Sequence, residues 1–202
     1  MPLMWTEFFA PNRSSRATRP VLVLLHGRNR PALSMLPLAE ELSLNHEALI
    51  TPEAEGGSWY PYSTLAPRAM NEPALSQSLE QMETLMQEVL QKHPPEQVIL
   101  SGFAQGACLA LEYAMRHPRP YRAVLSFHGV LMDETPSLPH KDTQYFFCSS
   151  ENDPLIPAWK VRASHEKLCL LGAKSSLRLY AGMHEKIPPE ELIHIREALG
   201  VD

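Results

Sequence analysis

Short runs of consecutive apolar residues alternate along this chain with longer segments in which apolar residues recur every three or four positions. The runs predict strands buried on both faces, at Val21–Leu25, Gln97–Ser101, Ala123–Phe127, Tyr145–Cys148 and Ser176–Tyr180. The longer segments predict helices, at Pro73–His93, Gln105–His117, Pro157–Leu171 and Pro189–Leu199. This alternation predicts a mostly parallel sheet flanked by helices, with its ligand site at the carboxyl ends of the strands.

The predicted helix ends carry residues that favour starts and stops. Asn71 is the predicted N-cap of the first helix, and Pro94 and Pro95 end it. Gly172 and Gly200 follow the third and fourth helices, where a glycine commonly ends a helix in a left-handed conformation.

Composition narrows the class of protein. The chain has 202 residues, of which 44% are hydrophobic and 20% charged, and this predicts one globular domain spanning residues 1–202. A net charge of -5 argues against nucleic acid or an anionic membrane as the main partner. The longest early apolar run, Val21–Leu25, is too short for a membrane span or a signal-peptide core.

The cysteines indicate the compartment. Cys108, Cys148 and Cys169 are odd in number and lie in apolar contexts, so we expect reduced core residues rather than disulfides. This pattern is typical of a cytoplasmic protein.

One strand-to-helix junction carries a chemical motif. It reads Ser101-Gly-Phe-Ala-Gln-Gly-Ala107, with glycines two residues on either side of Ala104. In a G-x-S-x-G corner the middle residue is a serine nucleophile projected over the sheet, and the next N–H helps to form an oxyanion hole. The alternative is a tight turn with no chemistry.

Five ordered segments resemble the phospholipase/carboxylesterase branch of the α/β-hydrolases, which includes acyl-protein thioesterases. They are Leu24–Arg28, Trp59–Pro67, Gly102–Leu111, Asn152–Pro157 and Arg178–His184. The resemblance implies a three-layer α/β-hydrolase fold without a large lid domain. It also implies a small-molecule ester or thioester substrate, no cofactor, and a monomer or weak homodimer.

The resemblance also assigns roles to residues. Position 104 is the nucleophile, Asp153 is the acid that orients the catalytic histidine, and the N–H groups of Arg28 and Gln105 form the oxyanion hole. The expected substrate-binding residues are His26, Trp59, Tyr60, Tyr62, Leu65 and Met183. His128 is added to this set because it ends a predicted strand; its alternative role is that of a hydrogen-bonded strand-end residue. The aromatic residues of this set have an alternative role, packing over the edge of the sheet.

Two positions depart from the family pattern. The nucleophile position holds Ala104, which has no atom able to attack a carbonyl. At the histidine motif, Glu185 stands in the register of the family's histidine and His184 lies one position earlier. The general base is therefore either His184 in a shifted loop or a glutamate.

Two interpretations of the missing nucleophile remain open. In the first, alanine replaces the serine of a carboxylic ester hydrolase, and serine-dependent hydrolysis falls by about 10⁶-fold. In the second, the chain is a diverged, non-hydrolytic relative that binds a ligand or transfers protons as an isomerase, lyase or cyclase does. The residues for that proton transfer are His184, Glu185 and His128.

A metal site is a weaker hypothesis. Its candidate ligands show no spacing typical of a metal motif, so we expect no metal. The candidates are His26, His128, His184, Glu185 and Asp153.

Overall fold

Seven strands form one sheet in the computed structural model, which describes residues 3–9, 19–132, 138–181 and 187–201. The sheet order is β1-β3-β2-β4-β5-β6-β7; β1 is antiparallel to β3, and every other pair is parallel. The prediction of a mostly parallel sheet is confirmed. The strands are β1 (Met4–Phe9), β2 (Val21–Leu25), β3 (Ala48–Glu53), β4 (Val98–Phe103), β5 (Ala123–Phe127), β6 (Gln144–Ser150) and β7 (Lys174–Tyr180).

The four predicted helices are present, each ending within one residue of its predicted bounds. Gly172 and Gly200 follow two of them with φ of 81° and 63°, in the left-handed region. The helices are α1 (Leu36–Leu42), α2 (Arg68–Asn71), α3 (Ala74–Lys92), α4 (Gln105–Arg116), α5 (Ala158–Leu170) and α6 (Pro189–Leu199). Short 3₁₀ turns span Ala32–Met35, Glu55–Gly57 and Pro95–Gln97.

The periodicity analysis missed β1, β3, α1 and α2. Strand β3 contains Pro52, a residue that argues against a strand in the middle of a sheet. Its parallel register with β2 ends at Ile50, so Pro52 has only Trp5 of β1 as a partner. A proline is tolerated there because only one neighbouring strand is present.

Asn71 does not cap α3. Its side chain is buried, accepts a hydrogen bond from Tyr62 N at 2.8 Å and donates one to Ser63 O at 3.1 Å. Pro73 occupies the N-cap position instead, without a side-chain hydrogen bond. Asn71 therefore fixes the preceding loop rather than the helix end.

Helices cover both faces of the sheet. Val21, Val23 and Leu25 of β2 belong to the apolar cluster that includes α3, α4 and α5. Leu22 and Leu24 belong to the opposite cluster, with α1 and α6. This alternation produces the expected three layers and leaves the carboxyl ends of the strands as the edge for a site.

The cysteines match the expectation only in part. Cys108 and Cys148 are buried, whereas Cys169 is exposed, so the expectation that all three lie in the core is wrong for Cys169. Cys169 directly follows buried Leu168 on α5, and its position turns it toward the outer face of that helix. All three thiols are free.

None of the described helices has the length and apolar character of a membrane span.

The corner between β4 and α4 is packed so closely that it requires two glycines. A Cβ on Gly102 would lie 2.4 Å from the carbonyl carbon of Gly106, and a Cβ on Gly106 would lie 2.4 Å from Leu25 O. Both contacts are with backbone atoms, which cannot rotate away. The strand and helix can approach this closely only because both residues lack a side chain.

We expect Gly102→Ala to lower the free energy of unfolding by about 3 kcal/mol, because the backbone of α4 must move to admit the methyl group. Urea denaturation would measure the loss. Gly172→Ala is the control, since nothing lies within 4 Å of its Cβ position. That change should cost about 1 kcal/mol, from backbone strain alone. Equal losses in the two variants would show that the corner is not tightly packed.

Candidate active site

Ala104 occupies a strained corner at the end of β4. It separates Phe103, the last residue of that strand, from Gln105, the first of α4. Its φ of 48° and ψ of -111° lie outside the regions that alanine ordinarily adopts. Ala104 N donates to Phe127 O at 2.8 Å, which ties the corner to the end of β5. Strain of this kind is typical of positions whose side chain must be projected into a site.

Two backbone N–H groups are available beside Ala104. Gln105 is the first residue of α4, so its N–H has no acceptor within the helix. The other N–H belongs to Arg28, in the loop after β2. Within the described part of the chain, neither group donates to a protein acceptor. The two donors can therefore accept a carbonyl oxygen or an oxyanion as their partner.

The side chain of Gln105 holds the loop that carries the aromatic residues. Its Oε1 accepts from Trp59 N at 3.1 Å, and its Nε2 donates to Tyr60 O at 2.7 Å. Arg28 Nη2 reinforces the loop by donating to Tyr60 O at 2.9 Å and to Tyr62 O at 2.7 Å. Trp59 Nε1 in turn donates to His26 O at 2.9 Å. The aromatic loop thus braces the Arg28 loop.

His26 is fully buried and its two ring nitrogens have different roles. Nε2 accepts from Ala54 N at 3.0 Å, which requires this nitrogen to carry no proton. The proton therefore lies on Nδ1, which donates to Gly27 O at 2.8 Å. These contacts fix the backbone just before Arg28.

His128 and Asp153 form a close pair at the ends of β5 and β6. His128 Nδ1 lies 2.7 Å from Asp153 Oδ2, and both side chains are nearly buried. Asp153 Oδ1 accepts from the backbone N–H groups of Leu155 at 2.8 Å and Ile156 at 2.9 Å. Both carboxylate oxygens are therefore engaged, and Asp153 is held in one orientation.

A cavity of about 320 Å³ opens above this corner. Its apolar wall follows Asp153 directly in the chain. A second cavity, of about 200 Å³, adjoins it through Gly27, Arg30 and Phe103 and extends toward α1. Among the described residues the larger cavity is lined by Gly27, Arg28, Arg30, Phe103, Ala104, His128, Asp153, Pro154, Leu155 and Ile156.

The structure brings together some of the predicted site residues and separates others. Ala104, Arg28, His128 and Asp153 line one cavity, and Gln105 is adjacent to it. The predicted substrate-binding residues His26, Trp59 and Tyr60 are buried, Tyr62 is half exposed and Leu65 packs partly against the core. None of these five is among the described residues that line the larger cavity. Met183, His184 and Glu185 lie outside the described residues.

The sequence analysis missed several lining residues. Phe103 and Arg30 flank the two predicted loops, and Pro154, Leu155 and Ile156 follow Asp153. The available signal was their position at or after the carboxyl ends of β2, β4 and β6. The sequence predicts that Asp153 orients residue 184 or 185, both of which lie outside the described residues; within the described residues, Asp153 contacts His128. Among the described residues, no group of three metal-ligating side chains converges.

Comparison with known proteins identifies the family. Residues 9–201 match the family model described as Phospholipase/Carboxylesterase. The chain belongs to this family. Its members are carboxylesterase- and thioesterase-type hydrolases of the α/β-hydrolase fold.

Among solved structures, a phospholipase/carboxylesterase from Dyadobacter fermentans is similar to the chain, at 30% identity and a TM-score of 0.87. The match covers 98% of this chain and 96% of the other. The Bacillus cereus carboxylesterase is 16% identical to the chain, with a TM-score of 0.78. This match covers 98% of this chain and 93% of the carboxylesterase, and it shows that the two share a fold.

Two curated relatives are named acyl-protein thioesterase 1. The protein from Gibberella zeae is 26% identical over 122 residues, and that from Saccharomyces cerevisiae is 28% identical over 124 residues. Each match covers 57% of this chain, and 52% and 54% of the respective relative. The match thus spans about half the length of each of these relatives.

We expect Gln105→Ala to lower the free energy of unfolding by about 1–3 kcal/mol, because it leaves Trp59 N and Tyr60 O with fewer partners in a buried loop. Urea denaturation measures the change. Gln87→Ala is the matched control, because Gln87 is exposed and its side chain donates to Glu83 on the same helix. The control should change stability by less than about 0.5 kcal/mol. If Gln105→Ala behaves like the control, Gln105 does not brace the loop.

Glu191 joins α6 to the end of β7. Its carboxylate is buried and accepts from Tyr180 Oη at 2.5 Å, with Arg178 Nε 3.5 Å away. Burial raises the pKa of Glu191, although the Tyr180 hydrogen bond and the Arg178 charge oppose the rise. The fold therefore favours the protonated carboxyl.

This raised pKa predicts a pH-dependent stability. The contribution of Glu191 is complete below the unfolded-state pKa of about 4.5 and is lost as the pH rises through the higher folded-state pKa. We therefore expect the stability of the wild type relative to Glu191→Gln to fall as the pH rises above about 4.5, as measured by urea denaturation. Glu190→Gln, at an exposed neighbour, should give no such trend. A difference independent of pH would contradict the raised pKa.

Proposed function

We propose that the protein binds a carboxylic ester or thioester in the cavity above Ala104 and forms no acyl-enzyme with it. The observation that carries this proposal is the backbone of Ala104, with φ of 48° and ψ of -111° between two obligatory glycines. The corner keeps the geometry of a nucleophile-bearing turn although the nucleophilic atom is absent.

The carbonyl oxygen of the ester would lie between the N–H groups of Arg28 and Gln105. Donors placed in this way stabilise the oxyanion by about 2.7–4 kcal/mol each in acyl-transfer enzymes. They belong to the backbone and do not depend on the side chain of residue 104. Leu155 and Ile156 form an apolar wall suited to an acyl group of small to medium length.

This chain cannot form an acyl-enzyme at residue 104, because alanine has no nucleophilic atom. The Ala104 methyl group cannot attack a carbonyl carbon, and loss of a serine nucleophile costs about 10⁶-fold in rate in serine hydrolases. This holds whether alanine replaced a serine in an active enzyme or belongs to a diverged relative. In both cases an ester can be bound without being transferred to residue 104.

The Ala104→Ser variant tests the proposal. We expect a fluorophosphonate probe to label the variant, with the mass of the intact protein rising by one adduct, and we expect p-nitrophenyl butyrate hydrolysis to rise by several orders of magnitude. The starting protein should remain unlabelled. Ala104→Gly is the matched control, because it alters the same strained position without adding a hydroxyl group.

Two results would overturn the proposal. One is labelling of the protein that has alanine at position 104, since its nucleophile would then lie elsewhere. The other is an Ala104→Ser protein that folds but neither reacts with the probe nor binds a methyl ketone analogue of the ester, as measured by calorimetry. In that case the cavity would not be a carbonyl site.

A further inference from the structure

Three adjacent strands are followed, in order across the sheet, by the candidate reacting position, a histidine and a carboxylate. Ala104 follows β4, His128 follows β5, and Asp153 lies three residues beyond β6. Phe103 pairs with Phe127 in the parallel register, so Ala104 and His128 occupy the next pair of positions. Neighbouring strands lie about 4.8 Å apart, which places residues 104 and 128 side by side.

The imidazole of His128 is fixed by its surroundings. Its backbone N–H donates to Cys148 O at 2.7 Å, and its φ is 55°, in the left-handed region. The ring contacts that of Phe103, with 5.3 Å between centroids. The side chain of His128 is only 6% exposed, and that of Asp153 only 10%. A non-glycine residue held at positive φ in a cavity wall is typical of a functional position.

The hydrogen bonds assign the proton on His128. Asp153 Oδ1 already accepts two backbone N–H groups, and Oδ2 accepts from His128 Nδ1 at 2.7 Å. The carboxylate can only accept, so Nδ1 carries a proton, and in the neutral ring Nε2 then has the lone pair. His128 lines the same cavity as Ala104, and Nε2 is the ring nitrogen that Asp153 does not engage. Within the described residues, Nε2 has no hydrogen-bond partner.

We propose that His128 Nε2 is the general base of this site, and that it activates a water molecule above Ala104 for direct attack on the bound ester or thioester. This inference rests on the proposed function, which supplies the bound carbonyl. Asp153 is a positioning residue that fixes the tautomer and the orientation of the ring. The active pair is then His128 and Asp153, rather than Asp153 with residue 184 or 185.

The alanine methyl group leaves room for this water. A serine at position 104 would place its hydroxyl oxygen beside His128, and with alanine that volume joins the cavity of about 320 Å³. A water molecule occupies about 30 Å³ and needs two or more polar partners. His128 Nε2 is one partner and the ester carbonyl group is another, so a water can lie between base and substrate.

The reaction balances without a covalent intermediate. His128 Nε2 takes a proton from the water as the water oxygen bonds to the carbonyl carbon. The carbonyl π electrons move to the oxygen held by the Arg28 and Gln105 N–H groups. When the electron pair on that oxygen re-forms the carbonyl double bond, the bond from carbon to the leaving oxygen or sulfur breaks. The proton on Nε2 then passes to the leaving group. The products are a carboxylic acid and an alcohol or thiol.

Two conservative variants test the base and its positioning residue. His128→Asn keeps a donor toward Asp153 and suits positive φ, but it has no basic nitrogen. Asp153→Asn keeps the oxygen that accepts from Leu155 and Ile156, but its amide favours the wrong histidine tautomer. We expect kcat for p-nitrophenyl butyrate to fall by about 10²-fold or more in each, with KM little changed. His140→Gln, before the amino end of β6, should leave kcat unchanged.

Chemical rescue separates catalysis from a structural role. His128→Gly suits the left-handed backbone and leaves a space the size of the lost ring. Added imidazole should restore part of the lost kcat in His128→Gly and none in Asp153→Asn. A residue that only supports the fold would give no such recovery. Intact-mass measurement during turnover of the starting protein should show no acyl adduct.

Failure of the proposed function and failure of the His128 assignment would give different experimental results. If the methyl ketone analogue does not bind to the starting protein, the proposed function itself fails. If the analogue binds but turnover is no greater than in His128→Asn, or if His184→Gln abolishes turnover and His128→Asn does not, the assignment of His128 is overturned. Exchange of the hydrogens next to the ester carbonyl for deuterium, without hydrolysis, would also overturn it and would assign the site to proton transfer alone.

Discussion

The close approach of α4 to the ends of β2 and β4 is the constraint on which the site depends. Gly106 lies against the carbonyl groups of Leu25 and His26 at a distance that no Cβ allows, and Gly102 lies equally close to Gly106. This contact brings the first N–H of α4 beside the loop that follows β2. It also forces the single residue between strand and helix, Ala104, into a strained conformation. The donors and the reacting position are therefore set by backbone packing.

The loops around this corner are held by buried polar contacts of a second kind. Within the described residues the Gln105 N–H has no protein acceptor, while the Gln105 side chain bonds to the backbone of Trp59 and Tyr60. His26, through Gly27 and Ala54, holds the other side of the loop. Polar groups buried in this way are costly to leave unpaired, so they restrict each loop to one arrangement. The loop that carries the aromatic residues is therefore tied to the Arg28 loop and to the start of α4.

The sequence predicted the elements better than the contacts between them. Continuous apolar runs and helical periodicity located the central strands and four helices, because those patterns follow directly from burial. The edge strand β1 and the proline-containing β3 lack such a pattern and were missed. The His128–Asp153 contact depends on strand register and on the positive φ of His128, and neither is visible in local composition. The corner motif was found because glycine is required there for steric reasons.

The corner also has an evolutionary consequence. Residue 104 already carries a Cβ in the strained conformation, so adding or removing one hydroxyl oxygen requires no repacking of β4, α4 or β2. Alanine and serine codons differ by a single base, so one mutation is enough to add the hydroxyl group. The glycines on either side offer no such path, because any side chain there displaces the backbone. The chemistry of residue 104 can therefore change by one atom while the packing that fixes the corner stays the same.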